Sequence, residues 1–198
     1  MTTHRLILGS SSSYRQRLLM QLGVRFESIS PGIDEAVVPG ESPAASALRL
    51  GREKAMAVQR QVDAESALVM GSDQVCHLKG SRYGKPGTRE RAIRQLETFS
   101  GQQVTFSTSL ILLGPGGRCW ETVEDYLVQF RTLSSRVIED YVDLDEPWDC
   151  AGAIKVECAG ITLLSETRGR DINGLYGLPL MALCDGLLAL GYDINDFR

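Results

Sequence analysis

Residues 6–19 read LILGSSSSYRQRLL. Three apolar residues, Leu6 to Leu8, run into Gly9 and four serines; Leu18, Leu19 and Leu22 then recur at helical spacing before Gly23. The pattern predicts a strand, a polar turn, a helix and a glycine stop. Working outward, Arg25 to Ser30 alternates weakly as a second strand, and Pro31 to Ser42 is a Pro- and Gly-rich loop carrying Asp34 and Glu35. Ser42 and Pro43 open a long helix whose small apolar stripe (Ala44, Ala47, Leu48, Ala55, Val58) runs to about Val62. Ala67 to Gly71 predicts a buried strand ending at Ser72, Asp73 and Gln74, with Val75 to Leu78 continuing it toward a turn at Lys79 to Arg82. Thr88 caps a helix from Arg89 to Phe99, and Gln103–Leu113 and Trp120–Arg131 form an antiparallel hairpin through GPGGR. Ser134 opens a further helix, Ala151 to Glu157 is small and polar, Ile161 to Leu164 predicts a strand, and Leu175 to Leu190 a final helix. Helices alternating with strands around a hairpin give an α/β class with a mixed twisted sheet flanked by helices. Residues 1–198 are expected to form one compact unit, with a bilobed form left open.

Composition narrows the function classes. With 43% hydrophobic and 23% charged residues among 198, the chain is neither collagen-like, coiled-coil nor disordered, and it is long enough to need no disulfide or structural metal. Its 21 Lys and Arg against 25 Asp and Glu, net charge −4, leave no basic footprint for nucleic acid. The apolar run at Leu6 is too short for a secretory segment, and no window approaches a membrane span. Five cysteines, at 76, 119, 150, 158 and 184, are odd in number and lack a C-x-x-C pair, which fits neither a disulfide framework nor zinc. The expectation is a cytoplasmic protein with reduced, mostly buried thiols.

The Gly9 to Ser13 turn offers backbone N–H groups and a helix N-terminus to a phosphate, with Ser10 and Ser12 hydroxyls as further donors and Arg15 and Arg17 in the first turn. The plainer alternative is that the serines only cap the helix and Arg15 is solvated. Gly84-Lys85-Pro86 is not a Walker motif, because the spacing from Gly80 is one residue short and proline replaces Ser or Thr. Asp34, Glu35, Glu53, Asp73, Glu157 and Asp171, interspersed with Arg15, Lys54, Lys85 and Arg170, suit a hard dication with phosphate oxygens, and equally suit a charged surface. Asp73 stands apart because it ends an apolar run. His4 and His77 are the only histidines, which disfavours an imidazole metal site or a His-assisted nucleophile.

Taken in order, LILGSSSSYRQRLL, GIDE, REKA, GSDQV, GKP, CAGAIKVECAG and GLPL resemble the Maf family of nucleoside triphosphate pyrophosphatases across essentially the whole chain, within it the YceF-type branch associated with 7-methyl-GTP. The resemblance implies a Maf/ITPase-like fold and hydrolysis of a nucleotide substrate between its α and β phosphates, with a divalent metal cation (Mg, Mn or Co). It implies Asp73 as catalytic base, Ser10, Ser12, Arg15, Lys54 and Lys85 as phosphate-binding positions, Glu35 with Asp73 as metal contacts, and Tyr14, Gln74 and Glu157 as specificity positions. A 7-methylated guanine is cationic and favours an aromatic face such as Tyr14. Glu157 can accept from the guanine N1 and N2 hydrogens and would face carbonyls on a pyrimidine. Ser13 and Gly9 depart from the family's usual proline and alanine, and Tyr14 from the tryptophan common in this branch. The serine and glycine are expected to loosen the turn, and the tyrosine to weaken preference for the methylated base. The resemblance also carries the expectation of a homodimer, and leaves open a broader-range pyrophosphatase or a nucleotide-binding regulator of cell division.

Overall fold

The computed structural model describes residues 5–198. Strand β1 (Arg5–Leu8) is buried from Leu6 onward, and helix α1 (Ser13–Gln21) follows with Ser12 as N-cap and Gly23 left-handed (φ 68°) beyond its end. β2 is only Glu27–Ser28, shorter than the expected strand because both residues are exposed and only these two pair with β1. Helix α2 (Pro43–Gln59) starts at Ser42, whose hydroxyl accepts from the Ala45 N–H, and ends just short of Val62.

Strands β3 (Ala67–Gly71) and β4 (Gln74–Leu78) lie end to end along β6 (Gln103–Leu113). Gly71 faces Ile111 and Gln74 faces Thr108, one continuous register with Ser72 and Asp73 between. On the opposite edge the neighbour changes: β3 pairs parallel with β1, whereas β4 pairs antiparallel with β5 (Ser81–Tyr83). Asp73 sits in the resulting gap, at the carboxyl end of β1, where open α/β sheets bind ligands. β6 also pairs with β7 (Cys119–Phe130), and β7 with β8 (Leu164–Arg168), which completes a mixed eight-stranded sheet.

Period-two alternation then sorts the side chains. On one face, Cys76, Phe106, Val128 and Phe130 pack with helices α3 (Arg89–Phe99) and α4 (Ser135–Asp145), and Leu6, Leu8, Leu110 and Leu112 pack with α1 and the C-terminal helices. On the other, Ile7, Val69 and Ile111 meet Ala55 and Val58 of α2. None of the helices among the described residues is long and apolar enough to cross a membrane.

Three expectations are corrected. Residues 159–163 form a 3-10 turn, not a strand, and the strand is the following LSETR, whose polar edge carries no apolar signal. The final helix is two helices, α5 (Ile172–Leu175) and α6 (Leu180–Ala189), because Gly177 turns left-handed (φ 110°) and Pro179 cannot continue a helix. Of the five free thiols only Cys76 is fully buried; Cys119 and Cys158 are exposed.

Candidate active site

Gly71 lets α2 close on β3, and Gly51 lets the same helix close on Ser109 and Ile111 of β6. A Cβ on Gly71 would strike the Gly51 carbonyl and stand 2.7 Å from the Ala55 nitrogen. One turn past Gly51, the buried Lys54 places its Nζ 2.6 Å from Asp73 Oδ1 and 2.8 Å from Glu35 Oε1. Among the described residues no donor reaches Asp73 Oδ2, so one carboxylate oxygen is anchored and the other is open. Burial alone would raise the Glu35 carboxyl, yet the Lys54 hydrogen bond and charge, with Lys85 and Arg15 behind it, hold it below its ordinary 4.5. A carboxyl depressed in the folded state contributes stability that is complete above the unfolded value and lost as pH falls through the folded one. Melting temperatures of wild type and Glu35→Gln are therefore expected to differ at pH 7 and to converge below about pH 4.5. A gap that persisted unchanged into acid would contradict the pairing.

The serine turn is more than a cap. Ser12 Oγ does cap α1, accepting from the Arg15 N–H at 3.5 Å. Ser10 Oγ accepts from the Ser12 N–H at 3.1 Å and from Arg15 Nη1 at 3.2 Å, which leaves its own proton to donate. Arg15 is not solvated: it is buried, its Nε donates to the Gly177 carbonyl at 2.8 Å, and no carboxylate pairs with it among the described residues. Burial lowers its pKa while the charges of Asp73 and Glu35 act the other way. A buried guanidinium with spare donors calls for an anion. Gly9 is tied to β3 and closely packed. Its N–H donates to the Met70 carbonyl at 2.7 Å, and an added Cβ would meet that oxygen at 3.1 Å.

The same residues line a cavity of about 560 Å³ whose other end is apolar and aromatic, formed by Tyr14, Phe106, Ile154, Val156, Leu175 and Tyr176. Gln74 and Glu157 line it too, Glu157 as an exposed carboxylate. Gln74 Nε2 donates to Thr108 Oγ1 at 3.0 Å and to the carbonyls of Gly174 (2.9 Å) and Leu175 (3.0 Å), so Gln74 can offer a ligand only its Oε1 acceptor. These bonds, with Ser72 Oγ donating to the Gly177 carbonyl, use the carbonyls freed by the α5–α6 break. They fix Tyr176 at the cavity wall. The Tyr14 hydroxyl lies 3.3 Å from Cys150 Sγ. Burial, that contact, and the charges of Cys150, Asp149 and Glu157 all raise the Tyr14 pKa; burial chiefly pushes the Cys150 thiol up to about 12. Both stay neutral near pH 7.

Residues 5–190 match the family described as Maf-like protein. The chain belongs to that family. It is 44% identical to the 7-methyl-GTP pyrophosphatase of Idiomarina loihiensis over 94% of each chain. It is 47% identical to that of Cupriavidus metallidurans, again over 94% of each, and 40% identical to that of Vibrio vulnificus over 98% of this chain and 99% of the other. The solved structure of the Staphylococcus aureus Ham1 protein is a loose match, at 14% identity and a TM-score of 0.46 over 65% of this chain and 72% of that one.

Every site residue expected from the sequence lines this Maf-like cavity: Ser10, Ser12, Tyr14, Arg15, Glu35, Lys54, Asp73, Gln74, Lys85 and Glu157. Other charged candidates fall outside it. Asp171 caps α5 and holds the Met181 N–H, Glu53 pairs with Arg49, and Arg170 pairs with Glu124 and Asp185. Exposed Asp34 accepts from the Ala36 N–H. His77 contacts Ser107 at 3.0 Å, and His4 lies outside the described residues. Phe106, Cys150 and Tyr176 were missed because tertiary folding, not local pattern, brings them to the wall.

A dication fits the donor set. Asp73 and Glu35 supply hard carboxylate oxygens to the same cavity, each with one oxygen on Lys54 Nζ and the other left for a cation. No cluster of three metal-ligating side chains occurs among the described residues. A Mg-type ion that takes one or two carboxylates and completes its shell with phosphate oxygens and water suits that arrangement.

Proposed function

We propose that the chain, acting as one domain, hydrolyses a nucleoside triphosphate, foremost 7-methyl-GTP, to the nucleoside monophosphate and pyrophosphate with a divalent cation. The observation that carries this reading is a single cavity with a cationic, donor-rich end at Ser10, Arg15, Lys54 and Lys85 and an aromatic, acidic end at Tyr14, Tyr176 and Glu157. The names of relatives at 40–47% identity agree with it. Asp73 Oδ2 accepts the proton of the attacking water while Lys54 fixes the carboxylate through Oδ1. Arg15, Lys85 and the α1 N-terminus take up phosphate charge, stabilising the transition state more as charge builds on the leaving pyrophosphate. A cation held by Glu35 and Asp73 would withdraw further charge from the phosphates. At the other end the neutral Tyr14 ring faces the cationic base and Glu157 accepts its N1 and N2 hydrogens. Unmethylated GTP keeps that hydrogen-bonding edge, so discrimination against it is weaker than against pyrimidines.

Glu157→Gln is expected to lower the kcat/KM ratio of 7-methyl-GTP over UTP by about ten- to a hundredfold, the worth of hydrogen bonds to a charged acceptor. The reading itself is tested with 7-methyl-GTP, GTP, dTTP, UTP and CTP side by side, with Mg, Mn or EDTA. Pyrophosphate from 7-methyl-GTP ahead of the rest supports it. Equal pyrimidine turnover overturns the base assignment, and orthophosphate as product overturns the reaction.

A further inference from the structure

Arg17 follows Arg15 by two residues, about 200° around α1, so the two guanidiniums leave the helix on opposite sides. Arg15 is buried at the cavity; Arg17 is exposed and is not among the cavity's lining residues. Its Cζ stands 4.8 Å from the Tyr14 ring centroid, over the ring. Tyr14 and Arg17 are three residues apart, which is the spacing that lets side chains on one helix meet. Among the described residues no carboxylate pairs with Arg17. The ring that lines the base end of the cavity therefore already carries a cation on its outer side, and presents to the cavity its remaining face and edge.

We propose that Arg17 is a specificity-determining residue: from outside the cavity, through the Tyr14 ring, it limits how strongly the site prefers a positively charged base over a neutral one. This rests on the function proposed above. An aromatic face attracts a cation through its quadrupole, and a second cation on the same ring gains less while repelling the first. With Arg17 4.8 Å from the centroid and a stacked base about 3.5 Å beyond it, the two charges stand about 8 Å apart, within a Debye length at moderate salt. A 7-methylated purine feels this repulsion. A neutral guanine of the same shape does not, so the effect appears in the ratio between the two.

The test compares Arg17→Met, which removes the charge and keeps most of the length, with Arg17→Lys, which keeps the charge. For Arg17→Met the kcat/KM ratio of 7-methyl-GTP to GTP is expected to rise about two- to fivefold through a lower KM for the methylated substrate, and the gain to shrink in high salt. Arg17→Lys is expected to keep the wild-type ratio. Calorimetric affinities for 7-methyl-GMP and GMP give the same ratio without turnover. An unchanged ratio in Arg17→Met overturns the inference, as does an equal loss for both ligands, which would assign Arg17 to phosphate binding or helix stability. Absence of hydrolysis with a shifted binding ratio would count against the proposed reaction and leave the role of Arg17 standing.

Discussion

Asp73→Asn is expected to lower kcat for 7-methyl-GTP by about a thousandfold or more, at the upper end of what general-base catalysis contributes. Asparagine has the same shape and keeps an acceptor for the Lys54 ammonium, which also retains its partner Glu35 2.8 Å away. The fold should accordingly survive, and the melting temperature should move by only a few degrees. What disappears is the open oxygen able to take a proton from water, and one carboxylate facing the cation site. Nucleotide binding is expected to persist or tighten, because one negative charge near the triphosphate is gone. Steady-state turnover, a melting curve and nucleotide titration on the same preparation separate these effects. Turnover within tenfold of wild type in a folded variant would remove Asp73 from the role of base.

Gly71→Ala is expected to damage both stability and turnover. The added methyl meets the Gly51 carbonyl and stands 2.7 Å from the Ala55 nitrogen and 2.8 Å from its Cβ, so α2 backbone, not a flexible side chain, must move. Overpacking of this kind costs about 1–3 kcal/mol, and a rigid neighbour argues for the upper part of that range. Because Lys54 rides on the same helix turn, the shift also carries its ammonium away from Asp73. A misplacement of about 1 Å at reacting groups can cost about a hundredfold in rate. Gly114→Ala, where a Cβ would meet Leu68 Cδ1 at an ordinary 3.4 Å, is the comparison that should leave both stability and kcat close to wild type. Denaturant midpoints and kcat measured below the transition give the two numbers. A Gly71→Ala protein as stable and active as Gly114→Ala would contradict the close approach of α2 and β3.

The parts legible in the sequence are those written in local chemistry. Ser12, Ser42, Thr88 and Ser134 sit where a hydroxyl satisfies a helix's first N–H groups, and each caps the helix expected of it. Asp73 drew attention as a charge closing an apolar run, and the reason is now visible: its strand continues in register along β6 while its other neighbour changes from β1 to β5. Elements set by distant partners were not legible. β8 is polar apart from the buried Leu164, and the rest of it takes its place by pairing with β7. Leucines at helical spacing hid the Gly177 break that frees the carbonyls for Arg15, Ser72 and Gln74. Two arginines two residues apart look alike in a sequence, yet one is buried at the cavity and the other lies over an aromatic ring on the outside. Roles such as base or specificity residue came from the family resemblance; spacing alone reached no further than phosphate handling.

The most direct measurement is a crystal structure of the Asp73→Asn protein with 7-methyl-GTP and Mg. The triphosphate is expected against the Ser10–Ser13 turn, Arg15, Lys54 and Lys85, and the methylated base on the Tyr14 ring with its N1 and N2 edge toward Glu157. A nucleotide bound in the reverse sense, or outside this cavity, would contradict it.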